Sequence, residues 1–281
     1  MVRCADSEFP PPLSRGPSPD LNRRNLFRGV ALGAALVAAG AGTATAAPFP
    51  SLSAGDDSGS SGGDDDGIPG GDPKAPAPQG VLSRLPGDGN QLAFTVDDGT
   101  TGEVVTAYAR LCIENGFRLT FFPNGVYPSW AENAGLLRPL LDSGQIQFGN
   151  HTWSHPDITK LSHDQLADQI TRNERFLQNT FGVSGRPFFR PPYGSHNATT
   201  DRIAADLGYQ TITLWGDTIG DSRIVTESDV IGAASHAFQP QNIVLGHANQ
   251  RSVGRALPAL AGIIHDRGLA TVNLGDVFAT D

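Results

Sequence analysis

Cysteine is nearly absent: 281 residues contain two, Cys4 and Cys112. Once an N-terminal leader is removed, Cys112 stands alone and no intrachain disulfide can form. Cys112 lies within Tyr108-Ala109-Arg110-Leu111-Cys112-Ile113, a run that reads as a packed helix, so burial rather than catalysis is its expected role. Positive charge is also scarce. Twenty Lys and Arg stand against 29 Asp and Glu, a formal net charge of −9. This argues against nucleic acid as a partner; it favours neutral or cationic partners and says nothing of fold. The apolar stretch from Gly29 to Ala41 is too short and too rich in Ala and Gly to make a stable membrane span. The aspartates between Pro48 and Ser83 never take the Asp-x-Asp-x-Asp-Gly spacing of a calcium loop.

What is present divides the chain in three. Asn22-Arg23-Arg24-Asn25-Leu26-Phe27-Arg28 precedes the apolar stretch, and Ala44-Thr45-Ala46-Ala47 follows it. A basic segment, a short apolar segment and an A-x-A site make residues 1–46 a signal peptide. The paired arginines resemble a twin-arginine export signal, so the mature protein is expected to be exported, extracellular or wall-associated. The leader holds five Arg and three acidic residues, so removing it takes 20 basic and 29 acidic residues to 15 and 26, a net of −11. Residues 47–83 are Asp/Gly/Ser/Pro-rich and read as a disordered linker. Residues 84–281 are the expected catalytic domain.

In that domain β-rich runs alternate with helical periodicity. Strands are expected at Gln91–Val96, Arg118–Phe122, Ile146–Asn150, Pro187–Arg190, Gln210–Leu214, Ile243–His247 and Leu269–Val272. Helices are expected at Gly102–Asn115, Ser162–Asn179, Thr226–Phe238 and Arg255–Arg267, with Ser162 and Gln165 forming a capping box. Seven alternating β units point to an α/β fold, a distorted (β/α) barrel of about seven parallel strands. The strand ends of such a barrel share one face, and that face carries the chemistry.

Polar residues cluster at those ends. Thr95-Val96-Asp97-Asp98-Gly99 puts two carboxylates where a strand stops. Strand side chains alternate faces, so both serve one site only if the chain bends there, as Gly99 permits. An adjacent buried pair predicts a metal, one Asp ligating it and one acting as base; an ordinary Asp-Asp-Gly turn is the alternative. Asn150-His151-Thr152-Trp153-Ser154-His155-Pro156 places two histidines four apart, the spacing that aligns them on one helical turn. With Asp98 they make three protein ligands beside an open position, the composition of a catalytic zinc site. Alone, each histidine could equally be a cap or a surface residue. Phe189-Arg190-Pro191-Pro192-Tyr193-Gly194 is a proline-stiffened loop suited to aiming Arg190 at a carboxylate and presenting the Tyr193 N–H. Trp215, Asp217 and Asp221 follow the fifth strand, and Val244-Leu245-Gly246-His247 ends the sixth with an imidazole suited to acid–base work.

Together these pieces, in this order from Leu92 to Val277, resemble the polysaccharide deacetylases, the NodB-homology carbohydrate esterases of family 4. The resemblance implies that Asp98, His151 and His155 bind Zn2+, or another divalent transition ion such as Co2+. It implies that Asp97 is the general base, that Arg190 positions it, and that His247 protonates the leaving amine. Tyr193 would stabilise the oxyanion through its N–H, with Trp215 and Leu245 lining the pocket. Asp221 would orient His247 from behind. Here the chain departs from the family pattern: Ser222 stands where an aromatic commonly follows the aspartate, which bears on substrate preference. Asp217 is then a candidate substrate contact, and His196 a candidate for the mouth; His163, His236 and His265 read as helix residues. The implied partner is an acetylated polysaccharide acted on by a monomer. Peptidoglycan comes first and chitin-like oligomers second. An O-acetyl xylan esterase on the same site is the alternative, as is a sugar-binding wall protein with little turnover.

Overall fold

A computed structural model describes residues 74–280; the expected signal peptide and most of the expected linker lie outside them. The chain enters the fold earlier than its composition implies. β1 (Ala75–Pro76) pairs with Phe278 and Ala279, and β2 (Gly80–Leu82) pairs with Thr211–Thr213. This corrects the expected boundary at Arg84. Two-residue and three-residue strands leave no periodicity to read, and their partners lie about 200 and 130 residues away.

The remaining elements alternate as expected. β3 (Gln91–Asp98), α1 (Gly102–Asn115), β4 (Leu119–Pro123), α2 (Ser129–Glu132), α3 (Ala134–Asp142), β5 (Ile146–Phe148) and α4 (His163–Phe181) come first. Then follow β6 (Phe188–Phe189), α5 (Ala198–Asp206), β7 (Thr211–Thr213), β8 (Asp217–Thr218), α6 (Glu227–Ala237) and β9 (Asn242–His247). α7 (Arg251–Asp266), β10 (Ala270–Thr271), α8 (Leu274–Val277) and β11 (Phe278–Ala279) complete it. All seven expected strands are present. α1 has the bounds its periodicity predicts, burying Val104, Val105, Tyr108, Leu111 and Cys112 on one face. α4 starts at the predicted box: the Gln165 N–H donates to Ser162 Oγ and the Ser162 N–H to Gln165 Oε1. α7 begins four residues before Arg255, and α2, α3, α5 and α8 were not expected.

Every strand-to-strand pairing is parallel. Besides the small β1-β11 pair there are two larger sheets: one runs β5-β4-β3-β9-β8 with β10 beside the start of β3, and the other runs β2-β7-β6. The two sheets meet at narrow seams. Asn150 bridges to Phe189 beyond the end of β5. On the other side Thr211–Thr218 acts as one bent strand, its first half paired with β6 and its second with β9. The Gly216 N–H, midway, donates to the Ile243 carbonyl at 2.9 Å. The fold is therefore a distorted ring of parallel strands rather than an evenly bonded barrel. β3 lies at its centre, buried from Leu92 to Asp98 because neighbours cover both faces. Phe94 packs edge-on against Tyr108 and Phe238, at 5.7 and 5.0 Å between ring centroids. Burying one such side chain stabilises the fold by roughly 1.5–3 kcal/mol. Cys112 is in this core, and burial pushes its thiol up to about 12. No helix among the described residues is long and apolar enough to cross a membrane.

Candidate active site

The C-terminal ends of the strands converge on a cleft of about 470 Å³. Asp97, Asp98, His151, His155, Tyr193, Trp215, Leu245 and His247 all line it. Register sets part of this directly: Asp97 on β3 lies beside His247 on β9.

The bend that lets both aspartates face the cleft is at Asp98 itself, whose φ is +68°, and continues through Gly99 at +95°. A Cβ at Gly99 would collide with the Trp130 indole, so only glycine fits. The turn is held from below. The Asp98 carbonyl accepts from Trp130 Nε1 at 2.7 Å and from the Asn124 N–H at 3.2 Å, and Ser129 Oγ donates to the Gly99 carbonyl.

His151 and His155 converge, but not on a helical turn. Their segment is irregular, with Thr152 at φ +67° and His155 at +58°. Two left-handed residues curl the loop so that the rings sit 4.9 Å apart. Polar contacts hold these costly conformations. Asn150 Oδ1 accepts the Thr152 N–H at 2.9 Å, and Asn124 Nδ2 donates to the carbonyls of His151 and Thr152.

One ligand atom from each of Asp98, His151 and His155 lies within 4.8 Å of the other two. The group suits a cation. Asp98 Oδ1 is buried and has no hydrogen-bond donor, although it lies 3.4 Å from His151 Nε2 and 3.6 Å from His155 Nε2. His151 Nδ1 donates to the Arg190 carbonyl at 2.7 Å, so the neutral ring points the Nε2 lone pair at the same spot. A carboxylate and two imidazoles match the preferences of a divalent transition ion. The charges agree. Burial alone would raise the Asp98 carboxyl, but His151, His247 and His155 outweigh it and hold it well below the usual range. Burial would lower His151, yet Asp97 and Asp98 raise it; burial and the His151 charge lower His155.

Two pairs flank this group. Arg190 is fully buried and its Nη1 donates to Asp97 Oδ1 at 2.7 Å and to Thr95 Oγ1 at 2.8 Å. Its Nε and Nη2 donate to the Thr213 and Leu214 carbonyls, and its guanidinium lies 4.2 Å from the Phe122 ring centre. Such a buried arginine can only orient its partner. Asp97 Oδ2 remains 3.5 Å from His151 Nε2. On the opposite side Asp221 is buried and grips His247 twice, accepting Nδ1–H at 2.8 Å and the backbone N–H at 2.7 Å. Burial opposes protonation of His247, but Asp221, Asp97 and Asp98 prevail and raise it to about 9. With Nδ1 committed, Nε2 is the nitrogen left to give up a proton.

The Tyr193 ring is 4.5 Å from His155 and 70% of the residue is exposed, so it forms the rim. Two expectations fail. Asp217 does not line the cleft; its Oδ1 accepts the N–H of Thr218. His196 is not at the mouth either, being paired with Asp201 at 3.0 Å. Pro191, Thr218, Ser222 and Asn249 also line the cleft. No spacing pointed to Thr218 or Asn249; Ser222 occupies the wall where an aromatic was missing.

Known proteins resemble this chain in both sequence and fold. A family model described as polysaccharide deacetylase matches residues 85–212. The bifunctional xylanase/xylan deacetylase of Cellvibrio japonicus is 28% identical over 178 residues, 63% of this chain and 26% of that protein. Peptidoglycan-N-acetylglucosamine deacetylase PgdA of Listeria monocytogenes is 27% identical over 192 residues, 67% of this chain and 39% of that one. The chain thus spans well under half the length of both relatives. A family 4 carbohydrate esterase from Streptomyces lividans, solved with acetate, superposes with a TM-score of 0.57 at 27% identity, covering 65% of this chain and 91% of that one. The family match ends before His247, which the geometry brings to the same cleft, and before Asp221, which holds it from behind. The family match over residues 85–212, the fold and the relatives together support a polysaccharide deacetylase of carbohydrate esterase family 4.

Proposed function

We propose that the protein is a metal-dependent hydrolase that removes acetyl groups from the amide nitrogens of N-acetylhexosamine polymers. The observation that carries this reading is one cleft holding the Asp98, His151 and His155 ligand group between an Asp97–Arg190 pair and an Asp221–His247 pair. Zinc is the expected ion, with Co2+ able to replace it. Held by those residues, it would supply Lewis acidity to the acetyl carbonyl and to the attacking water.

The side chains divide the proton work. Asp97, fixed by Arg190, takes a proton from water as its oxygen attacks the carbonyl carbon. His247 Nε2, charged and held by Asp221, gives a proton to the nitrogen as the C–N bond breaks. Acetate and a free amine leave. The Tyr193 N–H is the proposed protein donor to the developing oxyanion, and Trp215 and Leu245 form the apolar wall for the acetyl methyl. A binder alone would need neither a positioned base nor a positioned acid.

The Listeria relative supports peptidoglycan as the polymer, and export through the leader would bring the enzyme to it. The Cellvibrio relative supports a second reading, O-deacetylation of xylan. The protein is proposed to act as a monomer. Acetate release from N-acetylglucosamine oligomers and from acetylxylan, measured side by side with and without a chelator, tests this. Chelator-sensitive release from the oligomers is expected. Release from xylan alone would establish the esterase, and release that survives complete metal removal would refute the metal-dependent mechanism.

A further inference from the structure

Asp98 has its backbone fixed at φ +68°, but its carboxylate still needs an orientation. Among the described residues that carboxylate takes one hydrogen bond: Asn249 Nδ2 donates to Oδ2 at 2.7 Å. The other oxygen, Oδ1, is the buried atom that lacks a donor and faces both imidazoles. Asn249 is fixed in turn. Its Oδ1 accepts the Thr100 N–H at 3.1 Å, and its carbonyl accepts Thr101 Oγ1 at 2.6 Å. The amide cannot flip, because a flip would set oxygen against the carboxylate and NH2 against an N–H. Asn249 belongs to the loop between β9 and α7, two residues beyond His247. One short loop therefore contributes both the imidazole across the cleft and the amide behind the ligand.

We infer that Asn249 is a positioning residue for the metal site: it holds Asp98 Oδ2 so that Oδ1 is presented to the cation. The inference rests on Asp98, His151 and His155 being the ligands. Partners of this kind, one bond removed from a metal, alter affinity by about 10–100-fold.

The test is the dissociation constant for Zn2+, and separately Co2+, from competition with a chromophoric chelator. Asn249→Ala should bind about 10–100-fold more weakly, with a changed Co2+ absorption spectrum. Asn249→Ser, which keeps a polar group but cannot reach Asp98, should do the same and replaces the alanine variant if that fails to fold. Thr101→Val loosens the same loop without touching the amide, and it should bind as the wild type does. Circular dichroism and melting of the metal-free proteins identify the folded variants. Wild-type affinity in Asn249→Ala would overturn the inference, as would equal losses in Asn249→Ala and Thr101→Val, which would assign the effect to the loop clamp. If the wild type itself takes up neither ion, the ligand assignment fails, a result distinct from either of these.

Discussion

Asp97 and His247 lie side by side in register, yet their partners give them opposite duties. Arg190 donates to Asp97 in full burial and fixes its orientation, while Asp221 grips His247 and favours imidazolium. Asp97→Asn keeps the shape and removes the proposed base. Hydrolysis should fall by at least the roughly 10²–10⁴-fold that a general base contributes, while Zn2+ uptake persists; unchanged acetate release would exclude Asp97 as base. His247 also predicts a pH effect on the metal-free protein. Its folded value, about 9, lies above the ordinary 6.5. Its contribution is therefore complete below pH 6.5 and lost as pH rises toward 9, to a limit of about 3 kcal/mol. Denaturant titrations of wild type and His247→Gln across that window should show the wild type alone losing this increment. Parallel curves would mean that Asp221 does not raise the imidazole.

At the scale of elements, α4 buttresses the histidine loop, and Glu174 is central to it. This buried carboxylate accepts from Tyr209 Oη, Ser184 Oγ, the Gly185 N–H and Arg186 Nη1, at 2.5 to 3.0 Å. Burial alone would raise it, but these donors hold it below its usual value. Tyr209 Oη in turn accepts from Asn150 Nδ2, and Asn173 bonds Asn150, Gly125 and Pro123. Glu174→Ala would strand the Tyr209 and Gly185 donors. A loss of about 3 kcal/mol is expected, seen as a melting point lower by roughly 6–12 °C. A shift of a degree or two would show the network to be dispensable. Nothing in the spacing of His151 and His155 reveals this support. Four-residue spacing reads the same in a helix and in a curled loop, and a left-handed Thr152 or His155 has no compositional mark. Regular elements were readable because their periodicity is local: α1 and the Ser162–Gln165 box stand where predicted. Asn249 was not readable, because its partner Asp98 is 151 residues away and no motif joins them.

Across the whole molecule, the missed strands at the start of the fold bear on catalysis. β2 contributes Leu82 to the cluster of Leu85, Phe122, Phe188 and Ile243 beneath the cleft. The Leu82 carbonyl accepts the Leu214 N–H at 2.8 Å, and the Leu214 carbonyl accepts Arg190 Nη2 at 3.1 Å. The segment that composition presents as linker thus backs the strand that holds Arg190, which in turn holds Asp97. A chain started at Lys74 should melt as the full chain does. One started at Arg84 gives up the buried Leu82 side chain, worth roughly 1.5–3 kcal/mol, and the β2–β7 hydrogen bonds, worth about 1 kcal/mol each. It should melt roughly 10 °C lower and, below its transition, should lose kcat more than metal affinity, since β2 touches the Arg190 socket and none of the three ligands. Equal melting points for the two truncations would make β1 and β2 appendages. A loss of Zn2+ affinity matching the loss of kcat would mean that the socket and the ligand group form one cooperative unit rather than two sites sharing a wall.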